Sequence, residues 1–387
     1  MTASALTRPG ERDRLSTKLS ELDWRLIALL SVVAMTGTAM LYSVAGGQWQ
    51  PWAIDHLLRF GVMLVVMIGL AMLHPKWWFR AAYPLYALVV LMVLMIEFTP
   101  LGYEPAGAGA KNWLNLGFIR IQPAEFVKLG LVLALARWYH DHTAQEARWS
   151  WKLIFPIAMI GIPFLFVAKQ PDLGSAMIIG LTGAAIMFVA GLSWRVMAAG
   201  GVAALVTVPP FVMFGMHEYQ RNRVLTFLSP ESDPSGTGYN IIQSKIALGS
   251  GGLLGRGYGL GSQSQLEFLP ERETDFIFST LAEEFGFVGS FALLACYIAI
   301  ILIALRIASL AHSHFARISA AGMTAFFAIF VLINGAMVMG LAPVVGVPMP
   351  LLSYGGSSMM TIMIGFGLVL STRVHRYAEL PKGYGLV

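Results

Sequence analysis

Apolar runs long enough to cross a bilayer recur along almost the whole of this 387-residue chain. That recurrence constrains the fold more than any other feature. A membrane-spanning helix needs about 20 predominantly apolar residues. Ten runs qualify, at roughly 24–45, 54–73, 80–98, 122–140, 151–169, 172–190, 194–215, 276–306, 318–341 and 353–374. Hydrophobic residues make up 57% of the chain and charged residues 12%, where a soluble domain carries about 25% charged residues. The expected fold is therefore all-α: a polytopic membrane protein with about ten transmembrane helices in one bundle. Residues 1–22 form a basic cytoplasmic tail, 23–376 the bundle and 377–387 a second cytoplasmic tail. Cys296, the single cysteine, sits in an apolar run, so no internal disulfide forms and the thiol reads as packing. The first apolar run starts near Trp24 at full span length without a clear small-residue cleavage site, so it reads as a retained span.

Charge sets the orientation. With the N-terminus inside, the inner segments hold Arg8, Arg12, Arg14, Lys18, Arg25, Lys76, Arg80, Arg137, Arg148, Lys152, Arg195, Arg306, Arg317, Arg373, Arg376 and Lys382. The short outer loops hold Lys111, Arg120 and Lys169. Cytoplasmic loops of membrane proteins are enriched in Lys and Arg, so both termini are expected inside, and the net charge of +5 needs no nucleic acid to explain it. The tail leucines Leu15, Leu19 and Leu22 have helical spacing, which suits either a surface helix or a solvated basic tail. One large extracytoplasmic loop, about 216–275, is expected. Within it, residues 229–238 are turn-rich. Tyr239 to Leu248 has helical apolar spacing suited to the membrane surface and includes Lys245. Gly249 to Gly261 is glycine-dense, and reads either as a backbone cradle for phosphate or as a flexible hinge.

The unusual polar residues fall in one kind of place. Arg59 lies about a turn and a half into the second span. Glu125 and Lys128 lie in the first turns of the fourth, and Asp172 opens the sixth. Asp275 opens the eighth, and Ser353, Tyr354, Gly355, Gly356, Ser357 and Ser358 open the tenth. All are at the outer, N-terminal ends of even-numbered helices, where partial positive charge and unpaired N–H groups favour anions. Five such ends with two cations suit a lipid-linked phosphate or pyrophosphate. Each residue also has a plainer reading. Glu125 and Lys128 stand three apart and could neutralise each other. Asp172 and Asp275 could be N-caps, Arg59 could snorkel, and the serines could serve close helix packing. Glu283 and Glu284 lie inside an apolar run, where a carboxylate is costly; at least one is expected to pair within the bundle. The histidines show no metal-binding pattern, and zinc-protease, nucleophile-elbow and P-loop motifs are missing.

Five ordered motifs resemble the SEDS family (shape, elongation, division and sporulation), and within it the RodA branch. They are Asn112-Trp113-Leu114 with Gln122-Pro-Ala-Glu-Phe-Val-Lys128, Gln170-Pro-Asp-Leu-Gly174, Phe268 to Phe278, Leu281-Ala-Glu-Glu-Phe-Gly286, and Pro350 to Ser358. The match covers about residues 24–376. It implies a peptidoglycan glycosyltransferase that polymerises lipid II at the outer face of the inner membrane. The family's essential loop acid maps onto Asp275 and its conserved tryptophan onto Trp113. Its cavity charges are similar to Arg59, Glu125, Lys128 and Asp172; Lys245 and Ser357 complete the expected substrate-binding set. The resemblance also implies a class B penicillin-binding protein as partner, alongside other elongation-complex membrane proteins and membrane lipids.

The chemistry is compatible. A carboxylate at Asp275 can take the acceptor hydroxyl's proton as general base. Arg59, Lys128 and helix N-termini can stabilise the undecaprenyl pyrophosphate leaving group. A divalent cation such as Mg or Mn could assist, though no dedicated ligand set is visible. Two other readings stand beside the enzyme. A flippase for the same lipid would need midplane polar residues and internal repeats, and neither is clear. A pure scaffold would leave the buried charges without use.

Overall fold

The structure is a computed structural model that describes residues 15–104, 111–115, 120–143, 145–146, 150–210, 213, 215, 218–233, 236–266 and 268–381. Arg8, Arg12, Arg14, Arg148 and Lys382 lie outside the described residues. A short helix α1 (Leu15–Ser20) precedes α2 (Trp24–Val44), α3 (Ala53–Ala71) and α4 (Pro75–Phe98). After these come α5 (Pro123–Asp141), α6 (Ile154–Lys169), α7 (Leu173–Val189) and α8 (Trp194–Pro210). Three helices of the long connection follow, α9 (Glu218–Leu228), α10 (Thr237–Ser250) and α11 (Ser262–Gln265). The chain ends with α12 (Ile277–Ser309), α13 (His314–Val338) and α14 (Gly356–Val374).

Seven helices among the described residues are long and apolar enough to cross a membrane: α2, α3, α4, α6 with its preceding turn, α12, α13 and α14. Helix α7 and the stretch Trp194–Thr207 of α8 are apolar but shorter. Helix α5 has span length yet carries Glu125, Lys128, Arg137 and Asp141. Its position explains how it tolerates them. All but Phe126 of its residues from Pro123 to Ala136 are buried, and it packs against α4, α7 and α13. Charged groups inside a membrane protein face the bundle interior, where protein replaces water.

Local chemistry sets several boundaries. Asp23 caps α2 by accepting the Leu26 N–H. Proline occupies the first turn of α4 and of α5, where its missing N–H costs nothing. Helix α14 begins at Gly356, not at Ser353, because residues 349–353 form a turn in which the Leu352 and Ser353 N–H groups donate to the Met349 carbonyl. The all-α expectation missed a small antiparallel sheet. Strands β1 (Gly102–Tyr103), β2 (Trp113–Asn115) and β3 (Arg120–Ile121) pair in that order, with buried Leu114 opposite Gly102 and Ile121.

The helix expected at Tyr239–Leu248 falls within α10. It packs on the bundle rather than lying free: Ile241, Ser244 and Ala247 are buried, and the Ser244 hydroxyl lies 2.7 Å from both Ser279 Oγ and the Val338 carbonyl.

Helix α12 is broken at Gly286, whose φ of 65° and ψ of −160° are not helical. The glycine-dense segment repairs this break. The N–H groups of Arg256 and Gly257 donate to the Glu283 and Glu284 carbonyls, and the N–H groups of Phe287 and Val288 donate to the Gly252 and Leu253 carbonyls. These loose ends of a broken helix would otherwise be orphaned. Neither the phosphate cradle nor the free hinge describes this segment: its glycines allow close backbone contact with α12. Glu283 accepts from Ser262 Oγ and from the Gln263 N–H, and Glu284 accepts from Ser43 Oγ at 2.5 Å. Both acids are thus structural groups tying the segment and α2 to the break.

A Cβ at residue 286 would stand 2.4 Å from the Gly255 nitrogen in a left-handed backbone, whereas one at Gly200 would meet open space. Gly286→Ala should therefore destabilise the folded chain by roughly 1–3 kcal/mol, read as a lowered Tm in detergent. Gly200→Ala should leave the Tm unchanged or slightly raised.

Candidate active site

Three helix N-termini meet at one end of the bundle around a cavity of about 570 Å³. Helix α5 contributes Gln122 and Glu125, α7 contributes Ser175, and α14 contributes Gly356, Ser357 and Ser358; Arg59 from α3 and Trp113 from β2 complete the wall. Four expected site residues, Arg59, Trp113, Glu125 and Ser357, therefore share one cavity. Helix starts carry partial positive charge, and three of them converge here.

Arg59 is held at the mouth. Its guanidinium donates to Tyr354 Oη at 3.1 Å, lies 4.9 Å from the centroid of that ring and stands 3.7 Å from Asp55. Tyr354 Oη in turn donates to Asp55 Oδ2 at 3.3 Å. The plain snorkelling reading does not account for this three-residue arrangement. Asp55 was not singled out from the sequence, because an acid in the first turn of a helix is commonplace; only its spacing of four from Arg59 hints at the pair.

Lys128 differs from the expectation of a cation facing the ligand. It is fully buried and does not line the cavity. Its ammonium donates to Glu125 Oε1 at 2.5 Å and lies 4.6 Å from the centre of the Phe330 ring. The mutual-neutralisation reading thus describes the pair, which forms a charged floor beneath the cavity. Among the described cavity residues, Arg59 is left as the cation.

Asp172 caps α7 by accepting the Ser175 N–H at 3.0 Å, and also accepts from Gln122 Nε2 at 3.0 Å. It does not face the cavity but fixes two residues that do. Lys245 is exposed on α10 and packs beside Gly340, away from the cavity lining. His140 and His142 lie at the opposite end of α5 from the cavity.

Asp275 does not start α12; it sits two residues before it, in a turn strapped to the 340–355 connection. Asn334 Nδ2 donates to the Asp275 carbonyl at 2.8 Å and to the Val347 carbonyl at 2.7 Å. The Tyr354 N–H donates to the Glu273 carbonyl at 2.8 Å. Gly346, with φ of +71°, lines the cavity, and a Cβ there would come 3.7 Å from Asp275 Oδ2. Asp275 is not itself among the lining residues; its carboxylate stands behind Gly346, which is. Although the residue as a whole is half-buried, burial pushes its carboxyl up to about 7; Glu271 adds repulsion, Arg223 opposes and Glu273 adds a little more. The unfolded chain ionises near the ordinary value of 3.8, so this group costs stability as pH rises from there to about 7. Among the described residues, no group of three or more His, Cys, Asp or Glu is placed to hold a metal ion.

Fold and site together define a polytopic helical membrane protein with a polar cavity at one end. Residues 18–378 match the family model described as "Cell cycle protein", covering FtsW, RodA and SpoVE. The peptidoglycan glycosyltransferase MrdB of Escherichia coli K12 is 40% identical over 92% of this chain and 94% of its own length. The probable peptidoglycan glycosyltransferase FtsW of Geobacter sulfurreducens is 33% identical over 93% and 98%. Among solved structures, a chain of a peptidoglycan synthase complex aligns with a TM-score of 0.78 at 34% identity, covering 92% of this chain and 98% of that one. The rod-shape-determining protein RodA of Thermus thermophilus aligns with a TM-score of 0.67 at 28% identity, covering 92% and 98%. This chain belongs to the FtsW/RodA (SEDS) family.

The buried pair gives a stability test. Lys128→Met leaves Glu125 uncompensated and should cost roughly 3–5 kcal/mol. The double variant Glu125→Gln/Lys128→Met should recover much of that loss in thermal unfolding.

Proposed function

We propose that this chain is a peptidoglycan glycosyltransferase of the RodA type that polymerises lipid II into glycan strands, with Asp275 as general base. The observation that carries the assignment is the Asp275 carboxyl behind Gly346, at the edge of the cavity where three helix N-termini and Arg59 converge. We read all ten long helices, α5, α7 and α8 included, as spans of the bacterial cytoplasmic membrane. The large loop that carries α9 to α11 and the cavity then face outward, with both termini inside, as the charge distribution favours.

In this reading the donor's pyrophosphate lies at the starts of α5, α7 and α14 beside Arg59, and Trp113 packs against the sugar. The acceptor hydroxyl attacks the anomeric carbon of the donor. Its proton passes to Asp275. The bond between that carbon and the pyrophosphate oxygen breaks, and undecaprenyl pyrophosphate leaves with the electron pair. Helix N–H dipoles and Arg59 offset the charge that develops on it. Asp172 acts by holding Gln122 and Ser175. The Glu125–Lys128 pair supports the floor, and Ser357 offers a hydroxyl at the start of α14. Lys245 is not assigned a contact. A class B penicillin-binding protein would crosslink the product strands.

The test is polymerisation of labelled lipid II on a gel, by the purified chain with its transpeptidase partner. A folded Asp275→Asn protein should make no glycan; full chains from it would remove Asp275 as base. The base must be ionised to act, so kcat/KM for the native protein should rise about tenfold per pH unit below about 7 and level off above it. A flat profile from pH 5 to 8 would contradict the role.

A further inference from the structure

A second polar cavity, of about 350 Å³, lies at the opposite end of the bundle. Its wall joins the start of α2 to the ends of α12 and α14. Ser357 in the active-site cavity and Arg373 here stand on one helix, roughly 24 Å apart at 1.5 Å per residue. Three arginines line it, Arg25, Arg306 and Arg373, against one acid, Asp23. Three positive charges less one negative leave a surplus of two.

The local surroundings do not use up this charge. Asp23 is engaged as the cap of α2, accepting the Leu26 N–H at 3.4 Å. Glu21 is held by Arg376 at 3.3 Å. Among the described residues, none of the three arginines has an ion-pair partner, and Arg373 Nε is buried without a hydrogen bond. Arg306 and Arg373 stand in the last turns of their helices, where a cation is favoured by the helix dipole. Arg25 stands in the first turn of α2, where a cation is disfavoured. Intrahelical electrostatics alone therefore does not explain why the three converge.

The cavity also continues into apolar surface. Leu22 and Ile307 at its wall are buried. Ile298 and Leu302, on the same face of α12 as Arg306 at spacings of four, are 57% and 61% exposed. Trp24, also at the wall, is 53% exposed, as suits an indole at a membrane–water boundary. An anion here would have an apolar track leading away from it along α12.

We propose that this cavity binds the phosphodiester headgroup of an anionic phospholipid, with an acyl chain lying along Ile298 and Leu302. Guanidinium forks match phosphate oxygens, and the track accounts for a lipid rather than a free ion. The site is independent of the transferase assignment.

The test uses the full chain in an uncharged detergent, titrated with fluorescent phosphatidylglycerol and, separately, phosphatidylcholine. Phosphatidylglycerol should bind more tightly. Each arginine replaced by glutamine should weaken it roughly fivefold, and Arg25→Gln/Arg306→Gln/Arg373→Gln about 100-fold. If the triple variant fails to fold, Arg25→Gln alone, at an exposed helix start, carries the comparison. Equal binding of both lipids, or unchanged binding in Arg25→Gln and the folded variants, would overturn the proposal. Complete displacement of the lipid by millimolar inorganic phosphate would overturn the lipid source and leave a free-anion site.

Discussion

A polar backbone group freed inside a membrane bundle has no water to turn to and must be satisfied by the protein. Most of this structure follows from how that requirement is met where helices break. Helix α12 stops being regular at Gly286, and the glycine-dense segment supplies donors to one side of the break and acceptors to the other. The turn before α14 is closed on itself and strapped to the turn that carries Asp275, through Asn334 and the Tyr354 N–H. Without those ties, neither the carboxylate nor the start of α14 would have a fixed position.

The same logic governs charge. Glu125 and Lys128 are affordable in α5 because that helix is surrounded by other helices and the two groups pair at 2.5 Å. Charged residues become progressively more exposed toward the cavity mouth, from buried Lys128 through Glu125 to Arg59. Rigid charges below and a tethered cation above make a preorganised environment of the kind that stabilises developing negative charge.

Much of this was legible in the sequence. Apolar length marked the seven described helices that are long and apolar enough to span; polar residues at the starts of alternate runs marked Arg59, Glu125 and Ser357 as neighbours, and the family resemblance added Trp113. The remainder was hidden for identifiable reasons. A continuous apolar pattern reads as one helix, so the break at Gly286 leaves no trace in periodicity. Strands of two or three residues are too short to show alternation, so β1 to β3 went unseen. The i,i+3 spacing of Glu125 and Lys128 fits either mutual pairing or a shared ligand, and only burial decides. The spacing of Asp55 from Arg59 hinted at their pair, but its bond to Tyr354, nearly 300 residues away, left no trace in the sequence.

The central claim is that a donor's pyrophosphate occupies the meeting point of three helix starts, with Asp275 turned toward its sugar. Cryo-electron microscopy of the Asp275→Asn protein with lipid II, in complex with its partner, tests this most directly. The account predicts pyrophosphate density beside Arg59 at the starts of α5, α7 and α14, with the donor's anomeric carbon facing residue 275. Pyrophosphate bound elsewhere on the bundle, or a sugar turned away from residue 275, would contradict it.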